Sequence, residues 1–279
     1  MSNLKLCAFA DESSPEINGQ IDALNRNGIE FLEIRNVDGT NIADISNETA
    51  KEVAERLKNG GIKVWSLGSP FGKIGIKDDF APHLDLFKKS LENAEILGAK
   101  CIRLFSFFTD DFSTAVRDEV FERLSKFVDA AKGSNIVLCH ENEKGIYGDI
   151  ASRCLEIHKQ FADIKCVLDP ANYVQCGQDT LEAWEMLKDY IYYLHIKDAN
   201  DKGVIVPAGQ GAGNIEKIVG EFSKMGGGVM TLEPHLMTFD GLDALEGGHK
   251  TEIENFVYKT NEEAFDAGAT AIKTIIDRV

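Results

Sequence analysis

The chain has 279 residues, and its 46 acidic and 30 basic side chains give a formal net charge of −16. Such a charge repels nucleic-acid phosphates and anionic membrane surfaces, so it excludes proteins that bind either through a basic face. No run approaches 18 apolar residues, and the apolar stretch at the start is too short for a signal peptide. We therefore expect a cytoplasmic protein that does not enter a membrane.

The six cysteines include no C-x-x-C pair of the kind found in zinc ribbons or redox motifs. Cys7, Cys101, Cys139 and Cys166 lie in or beside apolar runs, where a reduced thiol behaves as a small core residue. Reduced cysteines are typical of the cytoplasm.

One pattern recurs along the chain: an amphipathic helix, a turn-forming residue and then a short apolar strand. The turn residues Gly28, Gly61, Gly98 and Asn135 follow one another at intervals of 33, 37 and 37 residues. Glycine and asparagine tolerate the left-handed conformation that ends a helix. The unbroken apolar run after each turn is typical of a strand that is buried on both faces of a parallel sheet.

Helix starts can also be predicted. Ser14 followed by Pro15 is expected to open the first helix, because proline suits the first helical position. Ser46 or Asn47 is expected to cap the second helix, whose apolar face runs from Ala50 to Leu57.

Eight strand candidates alternate with helical patterns, which predicts βαβ units and a parallel sheet. Eight such units fill 279 residues, so we expect an α/β protein with one domain, residues 1–279, folded as a single (β/α)8 TIM barrel. The longer segment Pro234–His249 is expected to lie over the barrel mouth. The candidates are Leu4–Ala10, Phe31–Ile34, Val64–Leu67, Cys101–Phe105, Ile136–Glu141, Lys165–Asp169, Ile191–Lys197 and Gly228–Glu233.

The strand ends carry the candidate chemistry, because active sites of these barrels lie at the C-terminal ends of the strands. The first four strands end in a mixed set of residues. Each of the last four ends in a carboxylate or an imidazole, and these residues are Glu141, Asp169, His195 and Glu233. Three carboxylates and one neutral histidine suit one divalent ion, which could be Mn²⁺, Mg²⁺, Co²⁺ or Zn²⁺.

Strand parity adds further candidates, because side chains two residues apart on a strand point to the same side. Three residues stand two positions after a proposed ligand and are expected to bind substrate: Glu143, Lys197 and His235. His140 directly precedes Glu141 and is expected to point away from the ion. His83 and His158 fall on predicted helices and are expected at the surface.

The strand endings LCHEN, LDPAN, LHIKD and TLEPH, with the later VPAGQGAGN, resemble the sugar phosphate isomerase/epimerase superfamily, which has a xylose isomerase-like barrel. The resemblance covers essentially the whole chain. It implies that the metal ligands are the Glu, Asp, His and Glu on strands five to eight, and that Glu141 and Glu233 also form the acid/base pair. That family usually has D-x-x-H on strand six, whereas this chain has Asn172 at the last position. An asparagine can bind a substrate hydroxyl but cannot exchange protons near neutral pH.

The function implied is a metal-dependent isomerase or epimerase of a small sugar, ketose or sugar phosphate, acting by proton transfer through an enediolate. The same site would suit a lyase that dehydrates a keto-polyol such as a keto-inositol. A nuclease of the endonuclease IV type shares the barrel, but its three-zinc site implies histidines that strands three and four lack here. A non-catalytic sugar-binding protein is the remaining alternative, and a homo-oligomer is compatible with the sequence.

Overall fold

Eight parallel strands form a closed barrel in the computed structural model, which describes residues 3–240, 242, 251–253 and 257–279. Each strand pairs with the next along the chain, and the last pairs with the first, where Lys5 lies opposite Val229. The expected (β/α)8 barrel is therefore confirmed. The strands are β1 Lys5–Ala8, β2 Phe31–Ile34, β3 Lys63–Leu67, β4 Cys101–Leu104, β5 Val137–Glu141, β6 Ile164–Leu168, β7 Ile191–Ile196 and β8 Val229–Leu232.

In the part of the chain that the structure describes, nine helices surround the barrel and connect its strands. Within the described ranges, none is both long enough and apolar enough to cross a membrane. The helices are α1 Ile17–Arg26, α2 Asn47–Asn59, α3 Phe80–Leu97, α4 Thr114–Ala131, α5 Ala151–Gln160, α6 Pro170–Gln175, α7 Thr180–Leu187, α8 Ile215–Lys224 and α9 Asn261–Ile276.

The predicted cap of α2 is confirmed, but the predicted start of α1 is wrong. The Ser46 hydroxyl accepts a hydrogen bond from the Thr49 amide, as an N-cap does. Helix α1 begins at Ile17, after Ser14 and Pro15, and the Ile17 amide donates to Asp38 Oδ1 at 2.9 Å. A carboxylate from another part of the chain therefore satisfies an amide at the start of this helix.

Three of the four predicted turn residues have the left-handed conformation, with φ values of 59° at Gly28, 77° at Gly61 and 70° at Gly98. The prediction for Asn135 is wrong, because Gly133 takes this conformation instead, with φ of 88°. Helix α4 ends two residues before Gly133. Glycine adopts positive φ at lower cost than asparagine, so the turn forms at the earlier position.

The interior of the barrel has an apolar floor below a polar layer. All six cysteines are free, and three of them belong to the floor, whose buried members are Cys7, Cys101, Cys139, Val167, Tyr193 and Val229. Two residues further along the chain from these floor residues come the side chains of the polar layer, among them Arg103, Glu141, Asp169, His195 and Thr231. Because alternate side chains share a face, the strands that bury this floor also direct the polar layer into the mouth.

The segment expected over the mouth is described in part. Leu236, Phe239 and Leu242 are buried, and the Phe239 ring lies 4.7 Å from the Arg35 guanidinium carbon inside the mouth. Residues 241 and 243–249 lie outside the described residues.

The prediction that His83 and His158 lie at the surface is wrong. His158 is buried on the face of α5 that also carries Cys154 and Ile157, and its Nδ1 lies 3.2 Å from the Ile164 carbonyl oxygen. His83 is half-buried, and its Nε2 accepts a hydrogen bond from the Gly72 amide at 2.8 Å. Each ring therefore sits on the inward face of its helix.

The buried ring of His158 should make the fold sensitive to acid. Burial lowers the pKa of His158 to about 4 from 6.5, and Nε2 has no hydrogen-bond partner among the described residues. Between these pH values the unfolded chain binds the extra proton, so the free energy of unfolding should fall as the pH drops, by up to about 3 kcal/mol. Urea unfolding between pH 7 and pH 4 should show a shallower pH slope for His158→Asn, which keeps a donor for Ile164. An unaltered slope would contradict this assignment.

Candidate metal centre and active site

Four side chains from consecutive strands converge at the C-terminal rim of the barrel. Glu141 ends β5, Asp169 directly follows β6, His195 lies in β7, and Glu233 directly follows β8. One ligand atom from each lies within 4.8 Å of the others, and all four residues are buried. The structure thus brings together the four residues that were predicted from their positions at the strand ends. Their three carboxylate oxygens and one imidazole nitrogen form a donor set that suits a hard divalent cation.

The imidazole of His195 is held from both sides. Its Nδ1 lies 3.0 Å from Glu141 Oε1 and 3.3 Å from Glu233 Oε2, while its Nε2 lies 3.2 Å from Glu33 Oε2. Burial opposes protonation of the ring, but the nearby carboxylates outweigh it and raise the pKa of His195 well above its usual value. A cation on the Nδ1 side would take the place of that ring proton, with Nε2–H still donating to Glu33.

Glu33, on β2, was missed by the sequence analysis. It is fully buried, and its carboxylate accepts hydrogen bonds from the Tyr193 hydroxyl at 2.9 Å and the Thr231 hydroxyl at 2.8 Å. Burial opposes its ionisation, but His195 outweighs this and lowers the pKa of Glu33. The signal in the sequence was a lone carboxylate inside the apolar run FLEI, because a charge in a doubly buried strand needs a partner.

Two arginines, also missed as site residues, bind the two glutamates of the centre. Arg103 Nη1 lies 3.1 Å from Glu141 Oε2, and Arg35 Nη1 lies 3.1 Å from Glu233 Oε1. The other oxygen of each glutamate faces His195. Each glutamate therefore has one oxygen toward the metal centre and one oxygen on a guanidinium.

Arg35 is enclosed by aromatic rings and acids. Its guanidinium carbon lies 4.4 Å from the Phe9 ring centroid, and its Nε and Nη2 contact the two Asp11 carboxylate oxygens at 2.8 and 3.0 Å. Glu12 lies 3.4 Å from the same guanidinium. A bidentate pair of this kind fixes the plane of the guanidinium and so the direction from which it reaches Glu233.

Lys197 reaches the same centre, as strand parity predicted. Its ammonium lies 2.8 Å from Asp169 Oδ2 and 3.3 Å from Glu233 Oε2. Burial, together with Glu141 and Glu233, raises the pKa of Asp169 to about 6 although Lys197 opposes this. For Glu233 burial is outweighed by Lys197 and the two neighbouring histidines, which hold its pKa well below the usual value.

Asn172 lies beside the centre, at the start of α6. Its backbone N–H donates to Asp169 Oδ1 at 3.0 Å. Asp169 therefore caps this short helix with one carboxylate oxygen and directs the other toward Lys197. The Asn172 side chain donates to the Asn142 carbonyl oxygen at 2.9 Å and lies 3.5 Å from Glu141 Oε1.

The last two predicted substrate-binding residues, Glu143 and His235, line the cavity above the centre. Glu143 pairs with Lys73 at 3.0 Å, and Lys73 outweighs the effect of burial and lowers the pKa of Glu143 to about 2. His235 has φ of 46°, and its Nδ1 lies 3.1 Å from Glu12 Oε1. Its Nε2 is 3.9 Å from Glu233 Oε1, so it touches the edge of the centre.

His140 points away from the centre, as predicted, and its Nε2 lies 3.0 Å from the Ser106 hydroxyl.

The glycine-rich segment after β7 folds around the Asp198 carboxylate. The amides of Gly209, Gly211 and Gly213 donate to its two oxygens at 2.9, 3.0 and 2.9 Å. A Cβ atom at Gly211 would lie 2.4 Å from an Asp198 oxygen, so this approach requires glycine. The segment therefore binds an internal carboxylate with its backbone donors.

A family model described as xylose isomerase-like TIM barrel matches residues 21–259 of the chain. No curated protein matches the sequence significantly.

Several solved structures have the same fold at low sequence identity. An L-ribulose 3-epimerase has a TM-score of 0.78 at 15% identity, and the alignment covers 100% of this chain and 95% of that one. The IolI protein with a bound zinc atom has a TM-score of 0.74 at 17% identity, with 98% of each chain covered. A probable 3-DHS dehydratase, AsbF, from Bacillus anthracis has a TM-score of 0.73 at 17% identity, with 98% of this chain and 99% of that one covered. With the family match over most of its length, the chain belongs to the xylose isomerase-like TIM barrel family.

Proposed function

We propose that this protein is a metal-dependent isomerase or epimerase of a small sugar or sugar-like ketose, with residues 1–279 acting as one barrel domain. The convergence of four ligand atoms within 4.8 Å at the barrel mouth carries the proposal. Glu141, Asp169, His195 and Glu233 would hold one divalent ion. When bound, such an ion polarises a carbonyl and stabilises the negative charge that develops on its oxygen.

Glu141 and Glu233 are the proposed acid/base pair. Glu141 ends β5 and Glu233 follows β8, and β6 and β7 lie between these two strands, so the two carboxylates would approach a molecule in the mouth from different sides. Glu233 is ionised near neutral pH, because its pKa lies well below the usual value, and can take a proton from the carbon next to a carbonyl. Glu141 would return a proton on the other face for epimerisation, whereas aldose–ketose isomerisation needs only one of the two.

The cavity residues have proposed roles in binding. Lys197 and Asn172 lie beside the carboxylates of the centre, where each can donate to a substrate oxygen. Glu143 and His235 line the same cavity and would contact substrate hydroxyls. The proposed substrate class is therefore a hydroxylated ketone small enough to lie among these side chains.

A lyase would use the same centre, with loss of a neighbouring hydroxyl in place of reprotonation. Lys197 is a charged donor next to Glu233 at 3.3 Å, which is the type of group that could protonate a departing hydroxyl. A product that has one water less than the substrate would identify this alternative.

The proposal can be tested with the Mn²⁺-loaded protein and a panel of ketoses and aldoses in deuterated water. Proton transfer predicts deuterium at the carbon next to the carbonyl, detected by NMR and mass spectrometry. Isomerisation without deuterium uptake would indicate a hydride shift and overturn the assigned roles of the two glutamates. Absence of any turnover or exchange, despite bound metal, would favour a non-catalytic sugar-binding protein.

Metal binding should release protons in a pH-dependent way. Near pH 7 the ion should displace about one proton, from His195, because its pKa is raised well above the usual value. Below pH 6 Asp169 is also protonated, so release should approach about two protons near pH 5 and the affinity should fall more steeply. Calorimetry in buffers with different ionisation enthalpies measures this number. If the number of protons released were the same at pH 7 and pH 5, the proposed ligand set would be contradicted.

A further inference from the structure

The two glutamates of the proposed metal centre each have one carboxylate oxygen bound to an arginine. Glu141 Oε2 lies 3.1 Å from Arg103 Nη1, and Glu233 Oε1 lies 3.1 Å from Arg35 Nη1. The other two oxygens, Glu141 Oε1 and Glu233 Oε2, lie 3.0 and 3.3 Å from His195 Nδ1. An ion beside this nitrogen would therefore meet one oxygen of each glutamate, because the second oxygen is held by a guanidinium.

Asp169 is restricted in the same way, but by the backbone instead of an arginine. Its Oδ1 accepts a hydrogen bond from the Asn172 N–H at 3.0 Å, and its Oδ2 faces the centre beside Lys197. One atom from each of the four clustered residues can therefore bind an ion. Mn²⁺ and Mg²⁺ favour octahedral coordination with about six ligands, which would leave about two positions for oxygens of solvent or substrate.

One aromatic ring supports both arginines. The guanidinium carbons of Arg35 and Arg103 lie 4.4 and 5.0 Å from the centroid of the Phe9 ring. Each guanidinium also contacts a second ring, which belongs to Phe239 for Arg35, at 4.7 Å, and to Phe105 for Arg103, at 4.9 Å. Rings that pack against a guanidinium restrict its plane and so the direction of its donors.

Arg103 depends on these rings more than Arg35 does. The Arg35 guanidinium is also held by ion pairs with Asp11 and Glu12. Arg103 is buried, and its Nε has no hydrogen-bond partner among the residues that the structure describes. The direction of the Arg103 side chain is therefore set mainly by its aromatic neighbours and by its contact with a glutamate of the centre.

Nearby acids keep Arg103 charged. Burial opposes the charge, but Glu141 and Glu33 outweigh burial and raise the pKa of Arg103 above its usual value. A carboxylate oxygen forms its strongest hydrogen bonds with charged donors of this kind. The Glu141 oxygen on Arg103 is therefore less available to an ion than the oxygen that faces His195.

We infer that Arg103 and Arg35, supported by Phe9, are positioning residues that keep Glu141 and Glu233 as one-oxygen ligands of the ion. The remaining positions then stay open for the carbonyl oxygen and the adjacent hydroxyl oxygen of a substrate. A glutamate that bound the ion through both oxygens would fill one of these positions. The inference rests on the proposed function and concerns the same centre.

The number of exchangeable waters on bound Mn²⁺ tests the inference, because each open position holds a water in the substrate-free protein. Relaxation dispersion of water protons, and pulsed EPR in water labelled with the magnetic oxygen isotope, measure this number on the full chain. We expect about two waters in the wild type and about one in Arg103→Met, since the released Glu141 oxygen can turn to the ion. Arg103→Lys is the matched control, because it keeps a charged donor, and it should bind as many waters as the wild type.

Mn²⁺ affinity, measured by EPR titration, separates positioning from a purely structural role. Loss of a purely structural arginine would weaken Mn²⁺ binding and leave the number of waters unchanged. The same number of waters in Arg103→Met as in the wild type would overturn the inference and leave the proposed function intact. A wild type with fewer open positions than expected would do the same. A wild type that binds no Mn²⁺ would overturn both.

Phe9→Leu tests the support of the arginines without removing a charge, and it serves the same purpose if Arg103→Met does not fold. The average number of waters should fall below that of the wild type, because both guanidiniums lose a ring contact. An unchanged number of waters in Phe9→Leu would overturn the inference.

Discussion

Glu233→Gln should lower turnover by about three orders of magnitude, because an amide cannot accept the proton that the proposed reaction removes. Glu233 has one oxygen 3.1 Å from Arg35 and the other 3.3 Å from His195, so a glutamine of the same length can occupy the space. The loss should appear in kcat for uptake of solvent deuterium at the carbon next to the carbonyl. Metal content should be measured alongside, because Glu233 is also a proposed ligand.

Glu12→Gln is the matched control for this experiment. Glu12 contacts the same Arg35 guanidinium at 3.4 Å and accepts a hydrogen bond from the His235 amide, but it does not belong to the four-ligand group. Its replacement should therefore leave turnover within about tenfold of the wild type. Near-normal exchange by Glu233→Gln, or equal losses in both variants, would remove Glu233 from its catalytic role.

Glu33→Gln should weaken metal affinity by about 10- to 100-fold, because the carboxylate that orients the His195 ring and raises its basicity would lose its charge. A glutamine can keep accepting from His195 Nε2 and Thr231 while its amide faces the Tyr193 hydroxyl, so the ring can keep its place. Competition with a chelator measures the affinity directly and does not depend on turnover.

Tyr193→Phe provides the comparison for Glu33→Gln. It removes the 2.9 Å hydrogen bond to Glu33 Oε1 but leaves the carboxylate and its contact with His195. We expect a change in metal affinity of less than about threefold. If Glu33→Gln bound metal as tightly as Tyr193→Phe, the carboxylate would have no part in tuning His195.

The barrel could be predicted from local patterns, because unbroken apolar runs recur in the strands and left-handed glycines such as Gly28, Gly61 and Gly98 follow several of the helices. The four clustered residues could be predicted for a related reason. Strands that lie side by side end at one rim, so their terminal side chains meet whatever the sequence distance between them. The prediction for Asn135 failed because two turn-forming residues stand close together. Glycine adopts the left-handed conformation with less strain than asparagine, so the turn forms at Gly133.

The supporting residues were harder to predict. Glu33 and Arg103 stand inside apolar runs, where a single sequence does not show which charges are paired across the barrel. The contact of Lys73 with Glu143 spans 70 positions and depends on loops held together by bridges from Phe108 to Gly75 and Ile146. Loop geometry of this kind depends on tertiary contacts and leaves no periodic pattern in the sequence.

The Arg35 ion pairs have a consequence for biosynthesis. Arg35 follows β2, Asp11 follows β1 and Glu233 follows β8, so this cluster joins the first two strands to the last. During translation Asp11 and Arg35 are made close together, whereas Glu233 is added 198 residues after Arg35. A nascent or C-terminally truncated chain without β8 therefore lacks both the closing strand and a proposed catalytic carboxylate, and the proposed activity can begin only when the ring of strands is complete.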